Sequence, residues 1–167
     1  MDDDREFTRR DTPPPVRKII KIARITSSDI CTGIILSEKM EGFDFHFDPV
    51  TFRTLPCYSP VETCPWHALE MPIKWYGFLH LLDRHTGNQF YVQLTPYATK
   101  GVEQMLELKG RLRGLEIEVR REKGHKRGPL VVRFLNDLWA EKAWPPGVSP
   151  KDTLRALFPD PRGRKQN

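Results

Sequence analysis

The stretch RTLPCYSPVETCPWHALE, residues 53–70, restricts most strongly what this chain can fold into. It holds two of the three cysteines, Cys57 and Cys64, together with His67 and three prolines. The surrounding residues 37–73 show no convincing apolar period, and an insertion this long inside a compact domain needs something to hold it. A bound metal ion is one answer, and simple burial of the two thiols is the other.

The spacing of these residues favours a structural zinc site. Such a site takes four tetrahedral ligands from cysteine and histidine. Cys64 and His67 are separated by two residues, so that a tight turn can aim both at one ion, and Cys57 precedes Cys64 by seven positions. His46 is the nearest remaining histidine. We therefore predict Zn²⁺ bound by His46, Cys57, Cys64 and His67, an ion that contributes roughly 10 kcal/mol to ordering the insertion.

Two alternatives to this ligand set stay open at the level of sequence. Cys31 could replace His46 as the fourth ligand, although it could equally pack in the core. Cys57 and Cys64 could be small buried side chains, with His67 a hydrogen-bonded surface residue. Disulfides are disfavoured, because the start of the chain, MDDDREFTRR, lacks a signal-peptide pattern and three cysteines in a reducing cytoplasm seldom pair.

Apolar and aromatic runs predict five β-strands. The first lies in VRKIIKIARITSSD, and TGIIL continues or re-pairs it after a bulge. The second and third, KWYGFLHLL and FYVQLT, form a hairpin across DRHTGNQ, which supplies positive-φ residues. The fourth and fifth, RLRGLEIEVRRE and GPLVVRFL, flank a basic turn. Between the third and fourth, PYATKGVEQMLELKG predicts a helix that begins near Pro96 and ends at Gly110.

This order of elements predicts a mainly β fold, a five-stranded OB-fold barrel with one helix between strands 3 and 4. The OB-fold domain spans 16–135 and carries the zinc-binding insertion, about 37–73, after strand 1. Residues 1–15, charged and then DTPPP, predict a disordered arm. Residues 136–167 predict a basic tail and short helices, in NDLWAEKAW and PKDTLRALF.

The charge distribution indicates a polyanionic partner. The net charge is +5, and the segment VRREKGHKRG places five cations around a single acid, Glu122. A local basic cluster is typical of nucleic-acid binding, and it is also typical of a solubilising surface loop.

Other functional classes find no support in the sequence. No apolar run is long enough to span a membrane, which predicts a cytoplasmic protein. The chain has no Gly-rich phosphate loop and no nucleophile elbow. Zinc deaminases carry His-x-Glu followed by Pro-Cys-x-x-Cys, whereas this chain has His46-Phe-Asp48 and Cys64-Pro-Trp-His67. We therefore expect a binding protein and no enzymatic activity.

The combination of an OB-like strand order with a His…Cys…Cys-x-x-His element resembles the zinc-containing single-stranded-DNA-binding proteins of T-even-type phages. The resemblance covers residues 16–135 and implies a structural zinc element beside a cleft for single-stranded DNA, with replication or mobile-element proteins as partners. The sequence departs from that family twice: His67 stands where the family has cysteine, and the C-terminal tail is basic where the family's is acidic and recruits replication partners.

Sequence-tolerant binding of single strands combines aromatic stacking with phosphate neutralisation. The candidate base contacts are aromatic residues of strands 2 and 3, each of which could instead pack inside the barrel: Trp75, Tyr76, Phe78 and Tyr91. In the insertion, Arg53 and Trp66 could line the groove, although Trp66 could equally shield the metal ion. The candidate phosphate contacts are Lys74, Arg84, Arg120, Arg121, Lys123, Lys126 and Arg127, followed by Lys21 and Arg24. The alternative functions are an RNA-binding subunit of a ribonucleoprotein, which would use the same groove, and a protein-interaction adaptor built on the zinc loop.

Overall fold

The chain folds mainly into β-strands, as its alternating apolar residues predict. The computed structural model describes residues 19–49, 51–57, 62, 64–122 and 128–158. The strands are β1 Lys21–Ala23, β2 Ile30–Ile35, β3 Glu41–Asp48, β4 Arg53–Pro56, β5 Ile73–Leu82, β6 Gln89–Leu94, β7 Leu115–Arg121 and β8 Leu130–Asp137. The helices are α1 Pro65–Ala68, α2 Pro96–Lys109 and α3 Lys151–Leu157.

Within the described residues the strands form one mixed sheet of eight strands, in the order β1-β6-β5-β2-β7-β8, with β3 and β4 beside it. β1 pairs with β6 in parallel, and the other pairs are antiparallel. The predicted barrel is not confirmed, because no pairing in the described part of the chain joins β1 to β8 and the sheet stays open.

Two local features raise the strand number from the predicted five to eight. The first predicted strand is interrupted by a turn in which the Thr26 hydroxyl donates to the Asp29 carboxylate at 2.6 Å, so β1 and β2 separate. The insertion contains β3 and β4. β3 has the sequence EGFDFHFD, which alternates aromatic and polar residues, the pattern of a strand with two different faces.

The inner face of the sheet packs on α2. The Thr95 hydroxyl caps this helix by accepting from the Ala98 amide, and Gly110 ends it with φ of 69°, a left-handed value that glycine adopts without strain. Val102 and Met105 on its buried side join a core of sheet residues that includes Leu79 and Leu81. The helix predicted between strands 3 and 4 is thereby confirmed.

The C-terminal segment, residues 138–158, packs on the outer face of the sheet, the face away from α2. Leu154 of α3 packs with Phe78 and Tyr91, while Leu138 and Trp144 pack with residues of β2 and β5. α3 lies within the predicted PKDTLRALF helix. The helix predicted over NDLWAEKAW is wrong: β8 continues to Asp137, which pairs with Leu115, and turns follow. Residues 1–15 and the basic tail lie outside the described residues.

Candidate metal centre and adjacent cleft

The β3–β4 hairpin and α1 supply the four predicted metal ligands. His46 lies on β3 opposite Leu55 of β4, and Cys57 follows directly after β4, where its amide donates to the Asp44 carbonyl at 2.7 Å. Cys64 stands immediately before α1, and Pro65 begins that helix because it needs no amide partner there. The single helical turn then carries His67 back towards Cys57.

The four side chains converge on one point. One ligand atom from each of His46, Cys57, Cys64 and His67 lies within 4.8 Å of the others. The two Sγ atoms are 3.4 Å apart, Cys57 Sγ is 3.8 Å from His67 Nδ1, and Cys64 Sγ is 3.9 Å from His46 Nε2. Tetrahedral coordination at about 2.3 Å to sulfur and 2.0–2.1 Å to nitrogen requires separations of about 3.8 Å and 3.6 Å. The cluster can therefore hold a metal ion.

Burial and mutual contact shape the acidity of these ligands. Burial lowers the pKa of His46, and the neighbouring His67 lowers it further, so the imidazole is held neutral as a ligand must be. Burial raises the pKa of Cys64, but hydrogen bonds from His67, Cys57 and Trp66 together outweigh it and bring that pKa to about 7. A thiol of this acidity is readily available as thiolate, the form that binds metals.

Residues around the cluster orient and cover it. The Trp66 ring lies 5.5 Å from the His46 ring, beside the ligand cluster, which fits the shielding role open to this tryptophan from the sequence. His67 Nε2 lies 3.9 Å from an Asp44 carboxylate oxygen, on the side of the ring away from Cys57. A carboxylate beside the second nitrogen of a ligating histidine holds the ring in place. Asp44 was not among the predicted site residues, although the aromatic-polar alternation of EGFDFHFD places it on the same face as His46.

Cys31 is not part of this cluster. It pairs with Val119 on β7 and packs against the main core, where burial raises its pKa to about 11. His46 therefore occupies the fourth position, as the preferred ligand set predicts.

Two of the aromatic residues predicted to stack on bases are buried. Phe78 and Tyr91 are each 1% exposed and pack with Leu154 of α3. The Tyr91 hydroxyl donates to the carbonyls of Val148 and Ser149, both at 2.9 Å. Because the C-terminal segment covers this face, neither ring can reach a base in this arrangement, and the prediction is corrected for both residues.

The remaining candidate base contacts divide between two faces. Trp75 lies on the metal side, where an added Cβ on Gly42 would collide with its indole. Tyr76 points to the opposite face and is half-buried, as expected for consecutive strand residues. Arg53 and Lys74 are exposed at the ends of β4 and β5.

Several of the predicted phosphate-binding residues form ion pairs or hydrogen bonds within the protein. Arg84 Nη2 lies 3.6 Å from Glu141, and Arg120 Nε lies 3.4 Å from Glu118. Arg121 donates to the carbonyls of Ile25 at 3.1 Å and Gly128 at 2.8 Å. Lys123, Lys126 and Arg127, also predicted to contact phosphates, lie outside the described residues.

A cleft of about 980 Å³ lies where the sheet stays open. One wall is the segment 22–27, which includes Arg24, and the other contains Arg121 and Leu130, the residues on either side of the basic turn. Tyr76 and Phe158 line the cleft as well. The sequence analysis named Tyr76, Arg24 and Arg121 but not Phe158, whose place depends on the path of the C-terminal segment.

Comparisons with protein-family models, with curated proteins and with solved structures find no significant match. The resemblance to phage single-stranded-DNA-binding proteins is therefore a prediction from the sequence pattern alone. No helix in the described part of the chain is long and apolar enough to cross a membrane.

Proposed function

We propose that this protein binds single-stranded nucleic acid, with DNA preferred, in the cleft between segment 22–27 and the adjoining ends of β7 and β8, and that it does so without catalysis. The observation that carries the proposal is the lining of this cleft, where the aromatic ring of Tyr76 lies among the cations Arg24 and Arg121. An aromatic ring offers a stacking surface to any base, and arginine neutralises phosphate, so the cleft combines the two components of sequence-tolerant binding.

The strand order supports an OB-like arrangement as the framework of this cleft. The five strands β6-β5-β2-β7-β8 are neighbours, and α2 connects β6 to β7. An OB-fold is a partly open five-stranded barrel. Here the hydrogen bond from Arg121 to the Ile25 carbonyl links the end of β7 to the segment that follows β1, across the opening in the sheet. We infer that this opening in the sheet serves as the nucleic-acid groove.

We further propose that the metal is a structural Zn²⁺. Two thiols and two imidazoles are the donors that zinc prefers, and four protein ligands leave no open position for a catalytic water. The ion would be held by His46, Cys57, Cys64 and His67. Its role would be to fix the β3–β4 hairpin against β5, whose first half pairs with β3.

The proposal is tested by competition binding with a single-stranded oligonucleotide, RNA of equal sequence and duplex DNA, each over a range of salt. Arg24→Gln should reduce the slope of log K against log salt by about 0.7, because one phosphate contact is lost. Tyr76→Leu should weaken binding about 5- to 150-fold with an unchanged slope, since one stacked base is lost. Arg133→Gln removes an exposed cation of β8 that does not line the cleft and is the matched control.

Three outcomes would count against this function. Wild-type protein could bind duplex as tightly as single strands, which would remove the role of exposed bases. Arg24→Gln could behave like Arg133→Gln, which would move binding away from the cleft. Tighter binding of RNA than of DNA would reverse the stated preference and indicate recognition of the 2′-hydroxyl.

A further inference from the structure

Two phenylalanine rings stand exposed at the tip of the β3–β4 hairpin. Phe47 is 41% exposed and Phe52 is 80% exposed. Their centroids are 6.4 Å apart with an interplanar angle of 68°, an edge-to-face pair. Neither residue was among the predicted binding residues, and within the described residues neither belongs to a buried core cluster.

The backbone at Phe52 is held in an unfavourable conformation. Its φ is 54°, a left-handed value that is a genuine outlier for a bulky residue. The turn is fixed by the Thr51 hydroxyl, which donates to the buried Asp48 carboxylate at 2.5 Å. Glycine would adopt this turn without strain. A strained position that displays a large apolar ring to solvent is the kind of outlier from which a functional role is inferred.

The exposed pair lies on the same face of the sheet as the aromatic ring of the cleft. Phe43 pairs with Tyr76 and Phe45 with Lys74, and paired residues of antiparallel strands share a face. Phe47 follows on that face because alternate residues of a strand point the same way. Phe47 lies four positions after Phe43 on β3, a path of about 13 Å. Phe45, between Phe43 and Phe47 on this face, is buried because the Phe158 ring packs on it, and Phe158 also lines the cleft. The surface from the cleft to the hairpin tip therefore runs over Phe158 and the exposed Lys74.

The character of this surface favours a nucleic-acid strand as its occupant. Exposed Lys74 lies along the path, and exposed Arg53 follows Phe52 in the chain, so cations accompany the rings. The β4 neighbour of Phe47 is the polar Thr54, so the apolar part is confined to two rings. A small aromatic patch among cations suits stacked bases and phosphates, whereas a protein interface needs a larger buried core.

We propose that Phe47 and Phe52 form a second stacking platform, which binds the bases of a single strand that leaves the cleft along β3. This inference rests on the proposed function, since it extends the same nucleic-acid path. At the 3.4 Å spacing of a stacked strand, the 13 Å path corresponds to about four further nucleotides. The platform thus contributes to long strands and not to those that fill only the cleft.

The experiment compares two oligothymidylates, one of about 5 and one of about 15 nucleotides, which bracket the site sizes of OB-folds. The variant is Phe52→Gly, which removes the ring and relieves the strained φ, so that loss of folding does not account for loss of binding. Leu69→Ala is the matched control, because Leu69 is an exposed apolar residue that follows α1. Phe52→Tyr retains a ring and tests for rescue.

We expect Phe52→Gly to bind the longer strand about 5- to 150-fold more weakly than wild type, as for one stacked base. The shorter strand should bind equally well to both proteins, and the salt slope should not change because the ring neutralises no phosphate. Phe52→Tyr should bind like wild type, and so should Leu69→Ala.

The inference alone is overturned if wild type binds both strands and Phe52→Gly binds the longer one equally well, or if Leu69→Ala weakens binding to the same extent. A change in oligomeric state with unchanged affinity would assign the pair to self-association and would also overturn it. Failure of wild type to bind either strand would overturn the proposed function together with this extension.

Discussion

Removal of the proposed zinc ion should unfold one part of this protein and leave the rest folded. Among the described residues of 57–72, Cys64 alone is buried. Its burial contributes about 1–2 kcal/mol to the stability of this segment. Ordering the backbone of the nine residues 64–72 opposes folding by about 9–18 kcal/mol. A structural zinc ion contributes about 10–16 kcal/mol, which offsets that entropy. Without the ion, we expect residues 64–72 to lose their fixed conformation.

The assay is amide hydrogen exchange with and without a chelator, repeated on Cys64→Ser. The amides of Cys57 and Ala68, which donate to the carbonyls of Asp44 and Cys64 at 2.7 Å and 3.1 Å, report on the metal centre. We expect their exchange to accelerate by about 100-fold or more, equivalent to about 3 kcal/mol of lost local stability. Amides of the β2–β7 ladder should keep their protection, because that ladder belongs to the main core.

Cys31→Ser is the matched control, since this thiol lies outside the ligand cluster. It should retain a full equivalent of metal in freshly purified protein, while Cys64→Ser should not. Wild-type protein that contains no stoichiometric metal, or an Ala68 amide whose protection survives chelation, would refute the reasoning.

Three further predictions concern the C-terminal segment. Tyr91→Phe should lower the free energy of unfolding by about 1–2 kcal/mol in urea, because the carbonyls of Val148 and Ser149 lose their donor; an unchanged value would mean that water replaces the hydroxyl. Leu154→Ala should lower it by about 2–5 kcal/mol, since this side chain is buried against the sheet; a loss below 1 kcal/mol would show that the segment is not docked in solution. Burial lowers the pKa of His80 from its usual 6.5, and its Nδ1 accepts from the Val148 amide at 3.0 Å, so this contribution to stability is complete above pH 6.5 and is lost as the pH falls below it. His80→Asn, which keeps an acceptor that does not titrate, should show a smaller loss between pH 7 and pH 5.5, and equal losses would refute the assignment.

The metal centre was predictable from the sequence because its ligands are rare and closely spaced. Cys57, Cys64 and His67 lie within eleven positions, so the loop that joins them can bring them together under few long-range constraints. His46 was predicted from its proximity in the chain, and its pairing with Leu55 explains how it reaches the cluster. β3 was not predicted, although the alternation of EGFDFHFD signals a strand and with it the shared face of Asp44 and His46.

The predictions that Phe78 and Tyr91 stack on bases and that NDLWAEKAW forms a helix were wrong, because a local sequence pattern does not show which face of a segment is covered. Phe78 and Tyr91 alternate with core residues on their strands, and an alternating pattern alone indicates that their side of the sheet meets water. The C-terminal segment covers that side instead. The NDLWAEKAW segment has helical composition, but pairing of β8 with β7 through Asp137, and the hydrogen bond from Trp144 Nε1 to the Leu138 carbonyl, favour the extended strand and turns.

Elements whose interactions join residues close in the chain can be predicted from the sequence alone. These include the β5–β6 hairpin, the cap and the end of α2, and the cluster of metal ligands. The covered faces of the strands, the open edge of the sheet and the exposed rings depend instead on contacts between residues far apart in the chain. Tyr91 bonds a carbonyl 58 residues away, and the Thr153 hydroxyl bonds the Ile20 carbonyl across 133 residues. No periodicity within a strand or helix records contacts over such separations.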